Sequence, residues 1–400
     1  MKRKNNLYNQ IIDIQKIQKV YDHRVRINTK NKKKLEKFDN YYVSNMIYIK
    51  TLLERREYVP GRYNVFLIKE PKLRLIMSQN IIDKIINHVV SEYFMINVFD
   101  KSLIDQNIAT RKGKGTHYGI QLLKKYLNEV KNKPFYVLKF DISKYFFNLD
   151  HDIIKKLVRT KIKDKEVINI FDLIIDSTNE EYVNKTIQKV KQHEINKILN
   201  SKAQDKEKLI EEINSLPEYK KGKGLPIGNM SSQVFAITYL NELDHYIKEK
   251  LKIKYYIRYM DDGILIHEDK KYLEYCLQEI EKILDKYKLE LNKKTRIYNH
   301  KEPFEFLGFK YMIKNNKVIM KVKNQTKKRF KRKIKKLNSL VEQNVIPYEK
   351  FLQVKGSYLG HLSYGHTKKL VANTLNKYEK KYDLIGSEVM IIDKKIMYKT

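Results

Sequence analysis

Residues 255–268 read YYIRYMDDGILIHE, an adjacent acid pair, Asp261 and Asp262, between two short runs rich in Ile, Tyr and Leu. Taken alone, Asp-Asp-Gly between two strand-like runs is a hairpin turn, because Asp and Gly tolerate positive φ. A second run argues for more than a turn. FYVLKFDIS (135–143) is nearly continuous in apolar residues, reads as a strand, and ends in Asp141 before the aromatic segment SKYFF. Two strands that each deliver acid at one end place three carboxylates in one cluster, which is electrostatically costly unless cations neutralise it. Mg²⁺ suits such a cluster, since it takes oxygen ligands and uses one or two carboxylates together with substrate phosphates. Two such ions roughly 3.5–4 Å apart activate an attacking hydroxyl and stabilise the leaving oxygen of an in-line displacement.

The chain around these acids is strongly basic. Lys and Arg total 83 against 47 Asp and Glu in 400 residues, a formal charge of +36. Such an excess repels itself unless a polyanion neutralises it, so nucleic acid is the leading partner and an anionic membrane surface the competitor. Basic segments spread over the whole length and accompanied by strands fit the membrane reading least. No run of 18 apolar residues is present, so no transmembrane helix is expected. The start, MKRKNNLYNQIIDIQ, has an apolar stretch broken by Asp13 and Lys16, which argues against a signal peptide. Cys276 is the only cysteine, so no intrachain disulfide or Cys-based zinc site is expected, as suits a reducing cytoplasm.

Strand-like and helical patterns are mixed along the chain, with helix in excess, which predicts an α+β fold. Residues 1–58 read as basic helices, 58–76 as two strand-like runs bounded by Pro60-Gly61 and Glu70-Pro71-Lys72, and 80–94 as a helix. A glycine-punctuated basic loop enters a helix at 111–127. Residues 179–222 are polar and charged and read as an exposed helical pair or a mobile insertion. GLPIGNMSSQVF is a Gly/Pro loop running into a helix, and the hairpin of 255–268 is followed by a helix at 270–288. LELNKKTRIY and FEFLGFKYMI are strand-like, and from 322 the chain is basic and helical to about 380, with Phe330, Ile334, Leu337 and Val341 forming an apolar stripe.

In this order the motifs resemble those of reverse transcriptases. YYIRYMDD is similar to the [YF]xDD signature, and FDISKYFFNLDH to the first catalytic motif. PKLRLI with DKIINH, and RKGKGTH, resemble the fingers motifs. GLPIGNMSSQ resembles the palm loop, LELNKKTRI the lysine motif, FEFLGF the primer grip, and SYLGHLSYGHT a thumb segment of bacterial enzymes. The likeness runs over roughly residues 58–370. Most bacterial members have Gln before the second Gly of the palm loop and end it in Ser-Pro; here Ile227 and Gln233 stand at those places, a form similar to the enzymes of diversity-generating retroelements. The resemblance implies a right-hand polymerase with a basic N-terminal extension at 1–58, fingers at 59–134 and palm at 135–178 and 223–316. The charged helical insertion lies at 179–222, the helical thumb at 317–385 and a C-terminal tail at 386–400. No separate RNase H or nuclease domain is expected.

The resemblance also implies roles. Asp141, Asp261 and Asp262 are the expected catalytic residues and metal ligands, with the Ile142 carbonyl completing one site for two Mg²⁺ ions, Mn²⁺ substituting. Phe146 is the expected gate against a 2′-hydroxyl; flanked by Tyr145 and Phe147, it is otherwise a core aromatic. Arg74 and Arg111 are expected on the triphosphate, where a guanidinium fork binds oxygens bidentately, with Lys72, Lys112 and Lys114 as lesser candidates. Gly228, Asn229 and Gln233 are expected beside the nascent base pair, or as simple helix-capping residues. Lys294 is expected near the leaving pyrophosphate. His88, His117 and His361 read as core or surface residues rather than metal ligands. The partners implied are template RNA, the cDNA–primer duplex and dNTPs, with a small basic accessory protein in a retroelement, or a second defence protein and a dedicated noncoding RNA if the enzyme serves antiviral defence. The reading from another class is a catalytically silent RNA-binding protein, against which the intact acids argue.

Overall fold

The computed structural model describes residues 3–5, 7–202, 204–379, 382–385 and 388–391. The C-terminal tail expected at 386–400 therefore lies mostly outside the described residues. Among them, no helix is long and apolar enough to cross a membrane.

The strands are β1 Asn64–Ile68, β2 Arg74–Ser78, β3 Tyr136–Asp141, β4 Tyr255–Tyr259, β5 Asp262–His267, β6 Arg296–Asn299, β7 Phe304–Phe306, β8 Phe309–Lys314, β9 Lys317–Val322, β10 Tyr382–Ile385 and β11 Glu388–Ile391. A four-stranded sheet has the order β4-β5-β3-β6. Three of its strands are close to continuously buried at their centres, Tyr256–Arg258 in β4, Gly263–Ile266 in β5 and Val137–Leu138 with Phe140 in β3. Such runs do not alternate because both faces are covered.

The chain divides into two compact units. The first comprises residues 1–115, 139–265 and 274–296. Here β1 and β2 pair antiparallel, from Asn64↔Ser78 to Ile68↔Arg74. The helix Ile81–Val90 starts where Asn80 accepts from the Asp83 amide at 2.8 Å, the local capping chemistry that Asn supplies. It is tied to the helix Met230–Tyr239 by a reciprocal pair: Asn87 Nδ2 donates to Ser231 Oγ (2.9 Å) and the Ser231 amide donates to Asn87 Oδ1 (3.0 Å). The charged segment 179–222 forms the helices Glu181–Leu199 and Lys206–Asn214. It is not merely a solvated pair: Val183, Ile187 and Tyr219 are buried in one cluster with Tyr63, Val65, Leu75, Met77 and Phe147. Most of its charges are exposed, and Val183 and Ile187 pack with Val65, Leu75 and Met77 of the β1–β2 hairpin.

The second unit comprises residues 116–138, 266–273 and 297–400. It contains the antiparallel sheet β7-β8-β9, in register Phe304↔Tyr311 and Phe309↔Val322, and the helices Thr116–Val130, Asn324–Glu342, Tyr348–Leu362 and Lys368–Tyr378. The stripe read from the sequence is the inner face of Asn324–Glu342: Phe330, Ile334, Leu337 and Val341 are buried, while Lys328, Lys331, Arg332, Lys333, Lys335 and Lys336 are exposed.

Candidate active site

Three chain segments of the first unit meet at the end of β3. The Ile142 amide donates to the Asp261 carbonyl (3.3 Å), which joins the end of β3 to the β4–β5 turn. On the other side Asp141 is gripped twice: its amide donates to Thr295 Oγ1 (3.2 Å), and its carbonyl accepts from the Asn292 amide (2.7 Å). These bonds fix where the Asp141 and Asp261 side chains start, and they bring Lys294 into the same neighbourhood.

The electrostatics show that the carboxylates feel one another. Burial, followed by the charge of Asp262, pushes the Asp141 carboxyl above its ordinary range, against Lys139, Lys72 and Lys294, which pull it down. Burial, then Asp262, then Asp141, push Asp261 up to about 6, with Lys72 opposing. Asp262 has a partner of its own, Lys139 Nζ at 3.5 Å. Burial is the larger cause, and the remainder is mutual repulsion among the carboxylates, which a divalent cation relieves as a proton does. Among the described residues no three His, Cys, Asp or Glu side chains close around one point as a finished metal cage. Mg²⁺ in a phosphoryl-transfer site does not require one, since substrate phosphates and waters supply most of its ligands. Hard oxygen donors at negative potential, with the Ile142 carbonyl accepting no hydrogen bond among the described residues, fit such an ion.

The turn itself departs from expectation. Met260, not Asp or Gly, takes the left-handed conformation (φ 57°). Gly263 lies within β5 for a different reason: a Cβ there would stand 2.1 Å from the Phe140 ring. Glycine thus lets β3 and β5 close together directly behind the acids.

The remaining residues divide. Phe146 is half-buried, whereas its neighbours Tyr145 and Phe147 point into the core; the flanking rings do the packing, and Phe146 is left at the surface of the short helix Tyr145–Asn148. Arg74 is exposed at the start of β2. Lys72, a lesser candidate in the sequence, acts on both Asp141 and Asp261. Arg111 is used differently: all five guanidinium N–H donors are taken, by the Asp100 carboxylate and carbonyl and by the Ile104 and Asn107 carbonyls. Lys114 is bound to Asp105, at 2.6 Å from Oδ1, and Lys112 is exposed. Gly228 has φ 141°, and a Cβ there would stand 2.5 Å from the Met77 carbonyl oxygen. The close approach that demands glycine is therefore to β2, where the Met77 amide also donates to the Ile227 carbonyl (2.9 Å). Asn229 begins the helix Met230–Tyr239 without capping it through its side chain; it is buried, Nδ2 donates to Tyr63 Oη (2.9 Å), and Oδ1 has no partner. Gln233 accepts from Thr110 Oγ1 (3.2 Å). His88 contacts Glu92 at 3.2 Å, while in the second unit His117 stacks on Tyr364 and His361 on Phe309.

Sequence reasoning passed over Lys139, Arg258 and Asp244. The first two are legible in retrospect: each is a lone cation inside an otherwise apolar strand, and a charge buried there needs a partner. Asp244 gave no such signal, since it lies in an ordinary polar helical stretch.

Residues 68–311, more than half of the chain, match the family described as Reverse transcriptase (RNA-dependent DNA polymerase). The chain belongs to that family, and its fold is the α+β right-hand polymerase fold that the order of motifs implies. Among the solved structures similar to it are two of telomerase. Apo telomerase from Candida tropicalis truncated from the C-terminal domain shares 14% identity at a TM-score of 0.42, over 70% of this chain and 60% of that one. Apo telomerase from the same organism shares 13% identity at a TM-score of 0.43, over 67% of this chain and 48% of that one. The chain thus spans less than two thirds of either telomerase. No curated protein matches it.

Proposed function

We propose that this protein is an RNA-directed DNA polymerase that extends a primer with dNTPs on an RNA template by two-metal-ion phosphoryl transfer. The observation that carries the reading is the junction of Asp141 and Asp261 through the Ile142–Asp261 backbone bond, inside the segment that matches the family. Asp141, Asp261 and Asp262, with the Ile142 carbonyl, would hold the ions. When bound, the ions supply Lewis-acid activation of the primer hydroxyl and neutralise charge at the leaving pyrophosphate. Lys72, Arg74 and Lys294 bind and neutralise the triphosphate. Phe146, left at the surface by its core-facing neighbours, stacks under the incoming sugar and excludes a 2′-hydroxyl. The exposed cations of Asn324–Glu342 bind duplex phosphates, so affinity for primer–template falls steeply with salt.

The finer reading is the diversity-generating retroelement type. It is supported by Ile227 and Gln233 in the palm loop, and by the packing of Ile227 against the apolar cluster of Tyr63, Val65, Leu75 and Met77. An apolar side chain drawn into that cluster leaves no polar group there to fix the template base or nucleotide, which lowers fidelity. Primer extension on an RNA template with Mg²⁺, wild type against Asp261→Ala, tests the chemistry: extension by wild type and none by the variant is expected, and equal products sink it. Sequencing the cDNA tests the type. Misincorporation opposite template adenines is expected, reduced by Ile227→Gln; an unchanged error spectrum removes the role of Ile227.

A further inference from the structure

Arg258 is the largest fully buried side chain among the described residues, and it lies on the strand that feeds the catalytic turn. Its Nε donates to Asp244 Oδ1 (2.7 Å), and Nη2 donates to Asp244 Oδ2 (2.6 Å) and the Ile237 carbonyl (2.8 Å). Its Nη1 donates to the Met260 carbonyl (2.7 Å). Both members of the ion pair are 0% exposed. A buried ion pair roughly breaks even against apolar packing, so stability alone is a poor reason for one. What this pair accomplishes beyond its own neutralisation is to hold the carbonyl of the left-handed residue that immediately precedes Asp261.

The same arginine is bonded through its main chain to a loop. Its amide donates to the Gln106 carbonyl (3.0 Å), and its carbonyl accepts from the Ile108 amide (3.0 Å). Between those two residues, Asn107 Nδ2 donates to Asp244 Oδ2 (3.1 Å) and the Ile237 carbonyl (3.0 Å). The loop in turn is clamped by Arg111, whose Nη1 donates to the Ile104 carbonyl (2.6 Å) and the Asn107 carbonyl (2.8 Å), with Asp100 closing the fork. Hydrogen bonds thus run without a break from Arg111, through residues 104–108 and Asp244, to Arg258 and the Met260 carbonyl. Arg111 has no donor left over for a phosphate.

We propose that Arg258 and Arg111 are positioning residues for Asp261, acting on the catalytic turn through the 104–108 loop and Asp244, and that Arg111 does not bind the triphosphate. The proposal rests on the polymerase reading of the acidic edge. The test uses the full chain, with Arg111→Gln and Arg258→Lys, which keeps the charge opposite Asp244 but loses the fork. Steady-state extension is measured at varied dNTP, and binding of Mn²⁺ alone is measured by paramagnetic resonance of the free ion. Groups that orient metal ligands from behind change affinity or rate by about 10–100-fold, so both variants are expected to lose kcat and Mn²⁺ affinity on that scale. The dNTP KM should stay within about twofold, since no ground-state contact to substrate is removed. A dNTP KM raised about tenfold by Arg111→Gln, with kcat and Mn²⁺ affinity unchanged, makes it a triphosphate ligand and overturns the proposal. So does a drop in thermal midpoint alone, with both catalytic readouts as in wild type. If Arg258→Lys does not fold, Arg111→Gln, which leaves both members of the buried pair in place, decides. A wild-type chain that fails to extend the primer removes the polymerase reading itself, whereas a working wild type with indifferent variants removes only the relay.

Discussion

The β8–β9 hairpin turns through Asn315 and Asn316, both left-handed at φ 49° and 56°, in register with Lys314↔Lys317. The β4–β5 hairpin turns through Met260 at φ 57° and Asp261. Both are two-residue connections. In the first, the residue type supplies the geometry, because asparagine tolerates the left-handed region and suits a type I′ turn. In the second, methionine has no local reason to be left-handed, and the conformation costs roughly 1–2 kcal/mol. It persists because the Arg258 guanidinium holds the Met260 carbonyl and the Ile142 amide holds the Asp261 carbonyl. One turn is specified by its own two residues, the other by a buried side chain of the preceding strand and by a backbone amide more than a hundred positions away. Strain that the surroundings over-determine collects at sites where geometry is the function.

The comparison breaks first at the acids. Asp261→Asn is expected to abolish extension, by about a hundredfold at least, the scale of removing a group that stabilises charge in a transition state. Single-turnover extension reads the loss, and far-UV dichroism should stay unchanged. Asn316→Asp, the reverse exchange in the other turn, should leave extension within about twofold, as surface turn changes generally do.

Much of this was readable in advance. The alternation of strands and helices, the apolar stripe of Phe330 to Val341 and the two acid-ended strands all follow from local pattern. Local pattern is silent on which partner each residue finds. The pattern points to Asp-Asp-Gly as the turn, but Gly263 answers to the ring of Phe140 across the sheet, and Met260 takes the left-handed conformation. The motif points Arg111 at a phosphate, and the fold engages it with Asp100 and two carbonyls of the same loop. The insertion at 179–222 reads as solvated because its charges outnumber the apolar residues it buries, Val183, Ile187, Ile198, Ile213 and Tyr219. In each case the residue type was informative and its partner was not, because the partner is fixed only once the chain has folded.

The next largest effect concerns glycines. Gly228→Ala combines φ 141° with a backbone oxygen 2.5 Å from the new Cβ, and should cost about 2–4 kcal/mol in chemical denaturation, from strain together with overpacking. Gly113, at φ 73° with nothing within 4 Å of a Cβ, tests strain without collision; Gly113→Ala should cost about 1–2 kcal/mol. Equal costs would mean that the approach of the palm loop to Met77 is not tight.

A pH series follows from the raised carboxyl of Asp261. Its folded pKa, about 6, lies above the ordinary Asp value, so between about pH 4 and pH 6 the folded chain binds more protons than the unfolded one. Stability from this group is therefore present at low pH and lost as pH rises through 6. Against wild type, Asp261→Asn should be more stable above pH 6, by on the order of 1–2 kcal/mol after allowance for partial exposure, with the advantage vanishing near pH 4. Mg²⁺ should shrink the advantage by stabilising the wild-type carboxylate. An advantage independent of pH would show that the charge of Asp261 is not what strains the site.

The smallest effect bears most directly on the two turns. Glycine removes the left-handed penalty but adds chain entropy to the unfolded state, a loss of roughly 0.5–1 kcal/mol. At Asn316, where little strain exists to relieve, Asn316→Gly should be neutral or destabilising by up to about 1 kcal/mol. At Met260 the relief of about 1–2 kcal/mol exceeds that loss, so Met260→Gly should stabilise the fold by up to about 1 kcal/mol. Urea midpoints at matched pH distinguish the signs. Activity should move the opposite way at Met260 alone, because a glycine there frees the peptide that Arg258 holds and lets the Asp261 carboxylate wander. If Met260→Gly is destabilising, the left-handed methionine is not strained, and the buried guanidinium has to be explained by something other than the turn.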